Sequence, residues 1–266
     1  MYVNLSRVTD INGLYLVGEY KRNAIRINSE AKIEYERLRS NCHLHKNQTL
    51  PSSTPKNLKI SLLNIRSLSK HCLDIKNSKD LVNSDLLCLT ETQLSPSSET
   101  NEIDQTLDNF RIDYNNYSVN RHQNTAVCSN SSIQILECQK AAGYTLIKFS
   151  KQTFSNEPIN LLLLYKPPHY SRNAFCQDLS GLLFDNIEII VGDFNIDAQE
   201  PTNADLNGIL SSYEMIVNEP THLAGGLLDH VYLKRSFISE KEVTSFVKDI
   251  YFSDHDGICF TILNNA

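Results

Sequence analysis

From residue 58 onward, short apolar runs alternate with amphipathic stretches. Leu58–Leu63, Asp85–Leu89, Ser132–Leu136, Tyr144–Phe149, Ile159–Tyr165, Ile187–Val191, Leu228–Leu233 and Ile258–Ile262 have the length and content of strands. Ser67–Val82 places Leu68, Cys72, Ile75 and Val82 near one stripe at helical spacing. Arg172–Leu183 and Ala204–Tyr213 also read as helices. Many strands with helices between them predict an α/β sandwich of four layers, with two mostly antiparallel sheets packed face to face and helices outside.

The pattern weakens before residue 58. Residues 41–57 are polar and contain Pro51 and Pro55, which suits a linker. Residues 1–40 form a short appendage in which Ala31, Tyr35 and Leu38 share one helical face. The domain proper is expected at 58–266.

With 41% apolar and 21% charged residues, the composition is that of a folded chain. No apolar run approaches the roughly 20 residues that span a bilayer, and no signal peptide is expected. Seven cysteines without a Cys-x-x-Cys spacing predict buried free thiols, Cys72, Cys88, Cys138, Cys176 and Cys259 among them. Cys42, His43 and His45 lack a second ligand pair at zinc spacing, so no zinc site is expected there.

The net charge of −6 is uneven. Residues 1–57 carry nine Lys/Arg against five Asp/Glu, or +4, which leaves −10 for the remainder. That excludes a broad basic nucleic-acid groove and suits an acidic pocket balanced by a divalent cation.

Four polar clusters sit at the ends of apolar runs, where a rigid strand meets an exposed loop. They are Asn64, Glu91, the Gly192-Asp193-Phe194-Asn195 segment, and Ser253-Asp254-His255-Asp256. Phosphodiester hydrolysis needs a cation, an oriented water and donors for the developing oxyanion. Glu91 suits a magnesium ligand. Asp193 can orient or deprotonate water. An extended chain would point Asn195 the same way, toward the same phosphate. His255 can bring an imidazolium to the phosphate, with Asp229 raising its pKa.

These clusters occur together with Leu63-Asn-Ile-Arg-Ser-Leu68, Leu89-Thr-Glu-Thr92, Tyr165-Lys-Pro-Pro168, Pro220-Thr-His222 and Leu228-Asp-His-Val231. In this combination and order, residues 58–263 resemble the endonuclease/exonuclease/phosphatase superfamily. The likeness is greatest to the apurinic-like endonucleases of non-LTR retrotransposons and Helitron transposons. The resemblance implies an active site of Asn64, Glu91, Tyr165, Asp193, Asn195, Asp229, Asp254 and His255. It implies Tyr165 touching the scissile phosphate, and Glu91 binding Mg2+ or Mn2+ with Asp254. Gln93 stands where the family often has an aromatic residue, and Arg121–Thr125 replaces a glycine-rich stretch.

A second resemblance lies in Tyr2–Val8 and Asn12–Tyr15, which look like the last conserved motif of superfamily 1 helicases of the Helitron type. Arg7 would there reach an ATP phosphate. No Gly-x-x-x-x-Gly-Lys-Ser/Thr loop accompanies it, so ATP is not an expected partner.

The expected function is a divalent-metal-dependent DNA endonuclease, located in the nucleus if DNA is the substrate. Another phosphoester (inositol phosphate, sphingomyelin or RNA) and an inactive transposon remnant remain as alternatives. Arg66, Lys70, Lys166, Arg172, Lys234 and Arg235 are the candidate backbone contacts.

Overall fold

The computed structural model describes residues 56–94, 100–113, 124–141, 143–182, 186–200 and 203–264. The appendage with Arg7, the linker and the Cys42–His45 cluster lie outside them. Among the described residues, twelve strands form two six-stranded sheets. In the first the order is β11 (Lys241–Lys248), β12 (Gly257–Asn264), β1 (Asn57–Asn64), β2 (Leu86–Thr90), β4 (Ala126–Asn130), β3 (Phe110–Asp113). In the second it is β5 (Gln134–Ala141), β6 (Tyr144–Ser150), β7 (Ile159–Tyr165), β8 (Ile189–Asp193), β10 (Asp229–Lys234), β9 (Tyr213–Met215).

Each sheet contains one parallel pair, β1 with β2 and β7 with β8, and the other pairings are antiparallel. A parallel pair needs a crossover. Helices α1 (Leu68–Asn77) and α2 (Lys79–Val82) supply it in the first sheet. After the short α3 (Thr100–Thr106), helix α4 (Arg172–Leu182) supplies it in the second. Helices α5 (Ala204–Ile209) and α6 (Arg235–Ile238) complete the set.

The parallel strands are covered on both faces, which explains their unbroken apolar runs. In β7, Leu161 and Leu163 join the core between the sheets, with Ile60, Leu62, Val191 and Val231. Leu162 and Leu164 face outward against Phe175 and Leu179 of α4. On the first sheet, Leu63, Leu87 and Leu89 pack against Leu68, Cys72 and Ile75 of α1. Three stacked cores between four layers give the expected sandwich.

The structure alters several elements read from the sequence. The helix expected over Ser67–Val82 is broken at Ser78, which is extended (φ −87, ψ 109). Its N–H closes α1 on Asp74 and Ile75, and its carbonyl opens α2 by accepting from Val82 N. The helix expected to reach Tyr213 ends at Ile209, and Tyr213 begins β9 instead. Strands β3, β4, β9 and β11 were not predicted. Edge strand β11 is largely exposed and has no clean alternation for a pattern to reveal. Of the expected buried thiols, Cys138 is exposed on edge strand β5, while Cys72, Cys88, Cys176 and Cys259 are buried and form no disulfide.

Candidate active site

Open α/β sheets place their functional groups outside the carboxyl ends of parallel strands. Here both parallel pairs deliver polar residues at that end. Asn64 ends β1, Glu91 follows β2, Tyr165 ends β7 and Asp193 ends β8. The antiparallel neighbours add their first residues. Asp229 opens β10 directly opposite Asp193, and His255 stands two residues before β12.

Hydrogen bonds join the two sheets across this cleft. Asn64 Nδ2 donates to Asp193 Oδ2 at 3.0 Å, and Tyr165 OH donates to Glu91 Oε1 at 3.0 Å. His255 Nδ1–H donates to Asp229 Oδ2 at 2.7 Å, which fixes the tautomer of the imidazole. Ser253 Oγ donates to the Asn64 carbonyl at 2.9 Å and ties the last loop to β1. Arg66 pairs with Asp254 Oδ2 at 2.6 Å. All eight sequence-named residues thus belong to one cluster, linked by contacts or by shared electrostatic neighbours.

Asn195 reaches the cleft differently from the expectation. It is not extended: its φ is +45, so the alternation argument does not hold. The chain turns after Asp193, whose Oδ1 accepts the Asn195 N–H at 3.0 Å. The Asn195 amide donates to the Lys166 carbonyl at 2.9 Å and pins the loop that follows Tyr165. Gly192 before this turn is dictated by space: a Cβ there would lie 2.1 Å from the Leu164 carbonyl oxygen on β7.

Glu91 (φ 50), Arg66 (φ 51) and Gln93 (φ 52) are also left-handed. Each departs from the conformation favoured by an L-residue, at about 1 kcal/mol or more. Strained residues concentrated at one cleft are held there by the surrounding strands.

The electrostatics follow from burial and crowding. Asp193 is fully buried, and desolvation together with the Asp229 charge raises its pKa well above the carboxylate range. His255 is opposed by burial, yet the Asp229 hydrogen bond and the charges of Asp229, Asp193 and Asp254 prevail and raise it to about 9. Burial, then the Glu91 charge and hydrogen bond, raise Tyr165, so its hydroxyl stays protonated as a donor. The site therefore holds a reluctant carboxylate beside a readily protonated imidazole.

Carboxylate oxygens are the donor set that magnesium prefers. Two buried oxygens, Asp229 Oδ1 and Asp254 Oδ1, have no hydrogen-bond partner within the protein. Such atoms are unfavourable unless something else satisfies them. Asp193, Asp229 and His255 place ligand atoms within 4.8 Å of one another, as do His222, Asp254 and His255. These two groups have the chemistry to hold a divalent cation, and Glu91 belongs to neither of them.

The basic candidates separate. Arg66 and Lys166 lie at the cleft, Lys166 buried with its amine donating to the Pro167 carbonyl. Arg172 pairs with Asp205 on the outer helices. Lys234 and Arg235 lie at the far end of β10, where Arg235 pairs with Glu214, so they do not flank the site. Thr221 and His222 carried no expected role, yet they organise it. Thr221 Oγ1 accepts the N–H groups of Leu228 and Asp229, and His222 forms an isolated antiparallel bridge with His255. A threonine and a histidine in an irregular loop offer no periodic signal for this.

No sequence profile of a known family matches the chain, and neither does any curated protein. Solved structures do. The endonuclease domain of TRAS1, a telomere-specific non-LTR retrotransposon, aligns with TM-score 0.62 at 12% identity, spanning 79% of this chain and 100% of that one. The AP endonuclease LMAP from Leishmania major aligns with TM-score 0.60 at 12% identity, spanning 78% and 88%. ANGEL2, a 2',3'-cyclic phosphatase, aligns with TM-score 0.57 at 10% identity, spanning 79% and 96%. The chain shares with them the α/β sandwich of the endonuclease/exonuclease/phosphatase fold.

Proposed function

We propose that the chain is a divalent-metal-dependent endonuclease that hydrolyses DNA phosphodiester bonds. The observation that carries this is the meeting of Asn64, Glu91, Tyr165, Asp193, Asp229 and His255 at the carboxyl ends of two parallel strand pairs.

Asp193 is the general base. Its raised pKa suits removal of a proton from water near neutral pH. Asn64 and the Asn195 N–H hold its two oxygens in place. His255, charged and oriented by Asp229, donates to the phosphate oxygen that gains charge. Tyr165, whose hydroxyl is held by Glu91, would touch the scissile phosphate. Mg2+ or Mn2+ held by Glu91 and Asp254 would offset phosphate charge and assist departure of the 3′-oxygen. The products would carry 3′-hydroxyl and 5′-phosphate ends.

DNA is the favoured substrate because two of the similar structures are named as a retrotransposon endonuclease domain and an AP endonuclease. The fold shared with a cyclic phosphatase supports a second reading, hydrolysis of another phosphoester. Plasmid nicking with and without EDTA tests the first. Chelator-sensitive nicking that Asp193→Ala lowers by about a hundredfold or more is expected. Equal rates for this variant and the wild type would overturn the assignment. A clear preference for inositol polyphosphate over plain or abasic duplex would favour the second reading.

The appendage as a Helitron-type helicase tail, the domain limits at 40 and 57, and a nuclear location belong to this proposal too. The first rests on the sequence resemblance, the second on the polar, proline-containing composition of the linker, and the third on the inferred substrate. Among the described residues no helix is long and apolar enough to cross a membrane.

A further inference from the structure

We infer that His222 is a positioning residue which, with Arg66, aims the unsatisfied oxygen of Asp254 at the cation. This rests on the metal-dependent reading above and assigns His222 a role within it.

His222 is locked by its own loop. The backbone folds back on itself, with Thr221 N and His222 N both donating to the Gly226 carbonyl at 3.0 Å and Gly225 N donating to the His222 carbonyl at 2.8 Å. Gly225 takes φ +90 to make this turn. The Ala224 N–H then donates to His222 Nδ1 at 3.1 Å. A ring nitrogen that accepts carries no proton, so the neutral ring must bear its proton on Nε2. That nitrogen faces Asp254 Oδ2 at 3.5 Å. A protonated Nε2 is a donor rather than a metal ligand, so His222 serves the carboxylate and not the ion directly.

Asp254 is held from three sides. Its backbone carbonyl accepts from Leu223 N at 3.0 Å. Arg66 and His222 both address Oδ2, at 2.6 and 3.5 Å. Oδ1 is buried and has no partner within the protein. Two basic groups on one oxygen leave the other, buried and without a protein partner, available to a cation. The same loop fixes the imidazole of His255, against which His222 packs edge-on with ring centroids 4.9 Å apart. The Asp256 N–H, donating to the Thr221 carbonyl at 2.7 Å, closes the ladder on its far side. One short segment therefore sets both Asp254 and His255.

Groups that orient a metal ligand typically change metal affinity by about 10–100-fold when removed. The test is calorimetric titration of Mn2+ into the full chain and into His222→Leu and His222→Gln, with thermal melts recorded without metal. Leucine keeps the bulk and removes the donor, whereas the glutamine amide keeps a donor at similar reach. His222→Leu is expected to weaken Mn2+ binding about tenfold, with His222→Gln recovering most of that loss. Equal affinities in the two variants, or wild-type affinity in His222→Leu, would overturn the inference. Plasmid nicking in parallel separates the two levels. A wild-type chain that nicks in a metal-dependent way, with His222→Leu binding Mn2+ normally, sinks the role of His222 alone. A wild-type chain that neither binds Mn2+ nor nicks overturns the nuclease reading and this inference with it.

Discussion

Asp193 and Asp229 stand directly opposite each other on β8 and β10, two buried carboxylates paired across an antiparallel ladder. Like charges in this position destabilise a sheet unless a counter-charge intervenes. His255 intervenes by binding Asp229, while Asp193 faces Asn64, a neutral donor. The asymmetry separates the roles: Asp229 serves the imidazole, and Asp193 is left with a raised pKa.

Asp193→Asn should therefore abolish cleavage and stabilise the fold. A carboxyl whose pKa is raised by folding opposes the folded state once pH exceeds its unfolded value, near 4. The penalty grows until pH passes the folded pKa. Thermal melts should show a gain on the order of 1 kcal/mol at pH 8, about 2–4 °C, and little gain at pH 4. A variant less stable than the wild type at pH 8 would contradict the buried-charge account.

Asp229→Asn should move the alkaline limb of the pH–rate profile. With Asp229 in place, His255 remains charged up to about pH 9. Without it the limb should shift down toward 6.5, the ordinary histidine value. The linkage has a definite sign. A raised imidazole pKa stabilises the folded chain fully below about 6.5 and loses that effect as pH rises toward 9. The variant should lose about 2 kcal/mol at pH 6 and less at pH 9.5. An alkaline limb that stays near 9 would show that Asp229 does not tune His255.

Tyr165→Phe isolates the hydroxyl on Glu91. Glu91 is only partly buried, so loss of one hydrogen bond leaves stability within about 1 kcal/mol of wild type. Cleavage should fall roughly tenfold or more if the hydroxyl addresses the phosphate, since it is fixed as a donor. Unchanged kcat/KM would remove Tyr165 from the reaction.

Gly192→Ala tests the close approach of β7 and β8. A methyl group placed 2.1 Å from the Leu164 carbonyl must push the parallel strands apart. Denaturant melts should show a loss of about 3 kcal/mol or more, in the range of severe overpacking. Cleavage should drop even in the fraction that folds, because Tyr165 and Asp193 are register partners one step beyond.

Much of this was legible in the residues themselves. The runs Ile159–Tyr165 and Ile187–Val191 are largely apolar because both faces are covered, and that requirement is written locally. Their polar ends were visible as well, because Tyr165 and Asp193 close apolar runs even though both stay buried. The break at Ser78 and the turn at Asn195 were not legible, because each depends on where partners lie rather than on local preference. Asn195 holds φ +45 because the Lys166 carbonyl and Asp193 Oδ1 wait for it.

What the amino-acid sequence determined by itself was the run of core strands and the polar residues at their ends. Tertiary structure alone decided which strand ends share a cleft. Lys234 illustrates the difference: it belongs to the same strand as Asp229, yet five residues at ~3.4 Å each put it roughly 17 Å away. Asn64 and Asp193 are 129 positions apart and in contact. Periodicity reports only on neighbours along the chain, whereas sheet order and strand direction bring distant ends together.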